Sequence, residues 1–111
     1  MISIEIKKSF QGNIIGFYVE GHAKPEGEMY QIVCSAVSAL FQTAALGLAQ
    51  IAGVKLSYAD WNGCILCKIT GFPDDISKIK AQAILDTMYL GIRKIKEEYS
   101  QYIHVVEKEE V

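Results

Sequence analysis

Excess basic charge, disulfide potential and long apolar runs are all lacking in this sequence. Eleven Lys and Arg stand against thirteen Asp and Glu, a formal net charge of −2. No surplus of positive charge draws the chain to a phosphate backbone, so direct nucleic-acid binding is not expected. Three cysteines, an odd number, do not make a disulfide framework. No stretch approaches the roughly 18 unbroken apolar residues of a membrane span, so no membrane partner is expected either. The opening MISIEIKKSFQGNIIGFYVE alternates apolar and polar positions and lacks the apolar core and small-residue cleavage site of a signal peptide. Unpaired thiols without an export signal point to a reducing cytoplasm. P-loop, GxGxxG, GxSxG and paired-carboxylate motifs are missing too, which removes several enzyme classes.

What is present is the composition of an ordered protein, 50% hydrophobic and 22% charged over 111 residues. One domain over residues 1–111 is the expectation, with no internal linker or low-complexity segment. Ile2, Ile4 and Ile6 alternate with polar neighbours, and after Gln11-Gly12-Asn13 the run IIGFYVE places Phe17 and Val19 on one face, predicting a β-hairpin. From about Met29 to Ala52 the period changes. Val33, Val37, Leu40, Phe41, Ala44, Leu48 and Ile51 recur at three- and four-residue spacing, an amphipathic helix rich in small residues. Gly53 ends it.

VKLSYAD and CILCKIT then form a second hairpin through Trp61-Asn62-Gly63, where Asn-Gly supplies positive φ and Trp61 is expected to pack at the turn. Pro73-Asp74-Asp75 opens a second helix with acidic residues at the positive end of its dipole; Ala81, Ile84, Met88, Ile92, Ile95 and Tyr99 form its stripe. Tyr102 to Val106 reads as a last strand and the tail EKEEV as frayed. The order ββαββαβ implies an α/β fold of the α+β kind, a mostly antiparallel sheet with both helices on one face.

The candidate chemistry lies in EGHAKPEGEMYQIVCSAVSAL. Cys34 falls in the early turns of the first helix, where unpaired N–H groups and the dipole favour a thiolate and offer oxyanion donors. It lies beside the apolar stripe, with Ser38 one turn later on the same side. Gly21 leaves room for a substrate backbone, and His22 follows it, where an imidazole can take the thiol proton and return it to a leaving amine. Pro25 and Gly27 mark the segment from Lys24 to Tyr30 as a loop able to close over a peptide. Against this stands a plain alternative, a packing cysteine and a solvated histidine. Cys64 and Cys67 spell CxxC, but inside a strand residues three apart face opposite ways, so packing is expected rather than metal or redox chemistry. His104 is an ordinary strand residue. No metal or cofactor is expected.

Gly21-His22-Ala23 followed by Ile32-Val33-Cys34-Ser35-Ala36-Val37-Ser38-Ala39-Leu40 resembles the signature of the ribosomal-processing cysteine proteases, the Prp family. The resemblance implies a small homodimeric endopeptidase that removes a short N-terminal extension from a bacterial large-subunit ribosomal protein, the twenty-seventh of its series. Cys34 would be nucleophile and His22 general base and acid. One departure is Gln31, where the family usually has Asp: a carboxylate there can cap the helix or orient the histidine, and Gln31 does neither as well. Glu26 or Glu28 stands as a substitute, or the dyad works alone. The competing functions are a non-catalytic module that binds a peptide or ribosome-assembly partner in the same groove, and a hydrolase for small amides or esters.

Overall fold

The computed structural model describes residues 1–21 and 27–110. Its elements are β1 (Ile2–Lys8), β2 (Ile14–Glu20), α1 (Glu28–Gly47), β3 (Lys55–Trp61), β4 (Cys64–Gly71), α2 (Asp75–Glu98) and β5 (Ile103–Glu109). This is the expected ββαββαβ order.

The five strands form one sheet ordered β3-β4-β2-β1-β5. The β1–β2, β2–β4 and β3–β4 pairings are antiparallel, and β1–β5 alone is parallel. Period-two alternation explains which face is covered. Ile2, Ile4, Ile6, Phe17, Val19, Ile65 and Cys67 point under the helices and are buried. Their alternates Ser3, Glu5, Lys7 and Tyr18 lie on the open face, where Glu5 pairs with Lys108 at 2.8 Å.

Helix α1 buries Val33, Val37, Phe41 and Ala44 against this sheet, and the Phe41 ring sits 4.6 Å from that of Phe17. By length and composition alone, the helical run over 28–52 is apolar enough to cross a membrane. Packing on the sheet accounts for its buried stripe without a bilayer. Small residues let α1 and α2 approach: a Cβ on Gly91 would come within 3.1 Å of Leu40 Cδ1, and one on Gly47 within 3.4 Å of Ile84 Cδ1.

The end of α1 widens into a π-helical turn, Leu48–Ala52. Gly53, at φ 70°, closes it, and the Leu48 carbonyl accepts the N–H groups of Gly53 and Val54. The widening shifts the last residues around the axis. Ile51 is consequently 66% exposed and not part of the buried stripe as its spacing implied.

At the second hairpin, Asn62 (φ 45°) and Gly63 (φ 80°) make the tight turn, as Asn-Gly predicts. Trp61 pairs with Cys64 across this turn and is 45% exposed, on an edge strand that the helices leave largely uncovered. Asp74 caps α2 by accepting the Ser77 N–H at 2.8 Å. The tail is not frayed through residue 110. Glu107–Glu109 extend β5 alongside β1, Glu107 binds Lys8 and the Tyr89 hydroxyl at 2.7 Å each, and Glu110 binds Lys68 at 3.0 Å. Cross-strand pairing supplies partners that a string of charges cannot reveal.

Candidate active site

At one end of the sheet β1 begins, β2 ends, β3 ends and β4 begins, so Ile2, Val19, Asp60 and Ile65 share one border. Helix α1 lies over it, and between them is a small cleft of about 70 Å³. Cys34, Val37, Ser38 and Gln42 line it from the helix, with Gly21 and Gly63 from the strand ends. Cys34 and Ser38 are each half-buried, as their place beside the apolar stripe implied.

Gly21 sets the access to the thiol. A Cβ placed on it would lie 3.6 Å from Cys34 Sγ, 3.6 Å from the Tyr30 hydroxyl oxygen and 3.8 Å from the Gly63 carbonyl oxygen. The missing side chain is the space beside the sulfur. The Gly21 N–H donates to the Gly63 carbonyl at 3.1 Å, holding the end of β2 against the β3–β4 turn.

Tyr30, Cys34, Ser38 and Gln42 recur at four-residue spacing, one ridge of α1. The sequence reading used only Cys34 and Ser38 of this ridge; the same spacing, extended one turn each way, finds the other two. Asp60 was missed for a different reason. It reaches the cleft from β3, where its Oδ2 accepts hydrogen bonds from Gln42 Nε2 at 3.2 Å and the Tyr58 hydroxyl at 3.4 Å. Nothing in the order of residues places β3 beside α1.

Two expectations about the helix start are corrected. Cys34 lies six residues after Glu28, about 9 Å along the axis at the usual rise. The N–H groups without helical acceptors belong to the first turn, and Gln31 N–H already donates to the Gly27 carbonyl at 3.3 Å. Oxyanion donors at the helix start are therefore not beside the thiol among the described residues. Nor does position 31 cap the helix: Gly27, at φ 105°, is the N-cap, and Gln31 is exposed and does not line the cleft. His22 and Glu26, with Ala23, Lys24 and Pro25 of the expected closing loop, lie outside the described residues.

The other thiols are separate from this cleft. Cys67 is fully buried in the core, and burial pushes its thiol up to about 11, which keeps it protonated. Cys64 is on the opposite face, where the Tyr18 hydroxyl approaches its sulfur at 3.8 Å. The strand reading of CILC therefore holds, and no cluster of metal-ligating side chains is found among the described residues. A larger, apolar groove of about 710 Å³ lies between α1 and α2, lined by residues such as Ala36, Leu40, Thr43, Ile84 and Met88, and does not include Cys34.

One cleft thus gathers a half-buried thiol, a polar helix ridge and a methyl-sized space at Gly21. The sequence profile of the family described as cysteine protease Prp matches residues 1–104. This chain belongs to the Prp family of cysteine proteases. It is 25% identical over 107 residues to the ribosomal processing cysteine protease Prp of Staphylococcus aureus (strain Mu50), covering 95% of this chain and 97% of that protein. The fold agrees with solved Prp structures. The S. aureus ribosomal processing protease Prp in complex with a substrate peptide superposes with a TM-score of 0.83 at 24% identity, over 97% of this chain and 100% of that one. The same enzyme with a covalently linked product peptide gives 0.80 at 25% identity, over 97% and 100%. SMU.848 from Streptococcus mutans gives 0.79 at 22% identity, over 99% and 96%. The chain is accordingly a cysteine protease of the Prp family, and the ββαββαβ expectation agrees with these folds.

Proposed function

We propose that this protease removes a short N-terminal extension from a large-subunit ribosomal protein, the twenty-seventh of its series, with Cys34 as nucleophile and His22 as general base and acid. The observation that carries the reading is the half-buried thiol of Cys34 facing the gap left by Gly21, in a chain whose family consists of cysteine proteases. The supporting relative is the S. aureus enzyme solved with a substrate peptide.

In the proposed reaction, His22 takes the Cys34 proton and the sulfur attacks the scissile carbonyl carbon, giving a tetrahedral oxyanion. Collapse expels the amine, which leaves with the proton from His22, and an acyl-thioester remains. Water, deprotonated by His22, then attacks the thioester and frees the thiol. Ser38, one turn below Cys34 in the cleft, is assigned a supporting polar role. Gly21 leaves the approach to the sulfur open.

We extend the reading to a cytoplasmic homodimer. The apolar groove between the helices, lined in part by exposed Ile51, is the surface assigned to the second copy. Sedimentation of wild type and Ile51→Lys tests this: a dimer that becomes monomeric supports it, and a wild-type monomer ends it.

The deciding experiment is cleavage of the ribosomal protein, extension intact, by wild type and Cys34→Ala, read by mass spectrometry. Cleavage at one bond by wild type alone is the expected result. Equal cleavage by Cys34→Ala, or none by folded wild type, overturns the assignment.

A further inference from the structure

We infer that Asp60 is a specificity residue that binds a Lys or Arg side chain of the peptide near the scissile bond. The inference rests on the proteolytic reading of the Cys34 cleft and adds the chemistry of what that cleft selects.

Asp60 pairs in register with Ile65, and Ile65 points into the core, so the Asp60 side chain is on the helix side of the sheet. There it lines the same cleft as Cys34, Ser38 and Gln42. Because β3 is an edge strand beyond the cover of the helices, this side of it is an open shelf beside α1.

The carboxylate is oriented but not neutralised. Both of its hydrogen bonds, from the Gln42 amide and the Tyr58 hydroxyl, converge on Oδ2. Oδ1 has no hydrogen-bond partner among the described residues, and no Lys or Arg among them forms an ion pair with Asp60. The two neutral donors hold Oδ2 and leave Oδ1 for a ligand.

Its surroundings favour a cation. Among the described residues the remaining wall is largely apolar, formed by Ile2, Val19, Val37 and Ile65, and apolar walls focus a fixed charge. An ammonium or guanidinium seated against Oδ1 makes a charge-assisted hydrogen bond, whereas an acidic side chain there meets like charge. A cleft this small brings any occupant close to the thiol, so the selected side chain belongs to a residue near the cleaved bond.

The test is cleavage-site profiling by mass spectrometry on a proteome-derived peptide library, N-acetylated so that α-amines do not compete with side chains. Wild type, Asp60→Asn and Asp60→Lys are compared, each checked for folding by thermal denaturation. Wild-type sites are expected to be enriched in Lys or Arg at one fixed position. In Asp60→Asn the ratio of kcat/KM for a basic peptide over its Met-substituted twin falls about tenfold, and Asp60→Lys shifts the preference toward Glu. Absence of a basic preference in wild type, or an unchanged ratio in Asp60→Asn, overturns the inference while leaving proteolysis intact. No cleavage of any peptide by folded wild type overturns both.

Discussion

The Gly21 N–H donates to the Gly63 carbonyl at 3.1 Å, and this one bond joins the strand that leads into the Cys34 cleft to the turn that carries the edge strand of Asp60. The two glycines supply different things. Gly63 adopts a positive φ that the turn demands, while Gly21 is small so that the space beside the sulfur stays open.

Substitution at Gly21 therefore separates function from folding. In Gly21→Ala the new methyl makes ordinary contacts at 3.6 Å with Cys34 Sγ and the Tyr30 hydroxyl, so the fold accepts it. On the proposed role of Cys34 it occupies the approach of the scissile carbonyl, and kcat/KM is expected to fall by about tenfold or more. Peptide kinetics beside thermal denaturation check this; unimpaired turnover would show that substrate approaches from elsewhere.

The three thiols should differ in reactivity. Brief iodoacetamide treatment near pH 8, followed by peptide mapping, is expected to modify half-buried Cys34 and Cys64 and to leave Cys67 untouched until the protein unfolds. Labelling of native Cys67 at the rate of the others would contradict its place in the core.

The Phe17–Phe41 contact joins the central strand to α1 under the site. Both rings are fully buried, so Phe41→Ala should cost about 3–5 kcal/mol by removing apolar contacts and leaving a cavity. Urea denaturation measures it, and a loss under about 1 kcal/mol would mean that the core closes over the gap.

Acid should weaken the start of α2. The Ser77 N–H holds the Asp74 carboxyl below its usual range. A lowered folded value contributes stability above the unfolded value, near 3.9, and that contribution is lost as pH falls through the folded one. Asp74→Ala should lower Tm at neutral pH and narrow the gap to wild type below about pH 4. Two Tm–pH curves that stay parallel from neutral to acid pH would rule this out.

Much of the fold was legible because the period of the apolar pattern is a local property. Ile2, Ile4 and Ile6 announce a half-covered strand, and Val33, Val37 and Phe41 a helix stripe, without reference to any distant residue. Misreadings arose where local geometry departed from the regular period, as in the π turn that exposes Ile51, or where partners come from far along the chain, as with Lys8 and Glu107. In the site, the pair of motifs around Gly21 and Cys34 was visible, as was the ridge through Ser38.

The sequence alone determined the elements, their order and the position of the thiol on one side of α1, because backbone preferences and apolar periodicity act over a few residues. Tertiary structure alone decided that β5 runs parallel beside β1, that Gly63 meets Gly21, and that Asp60 and Gln42 join the cleft of Cys34. Those outcomes depend on strand order and on which border of the sheet α1 crosses, set by burial across the whole domain.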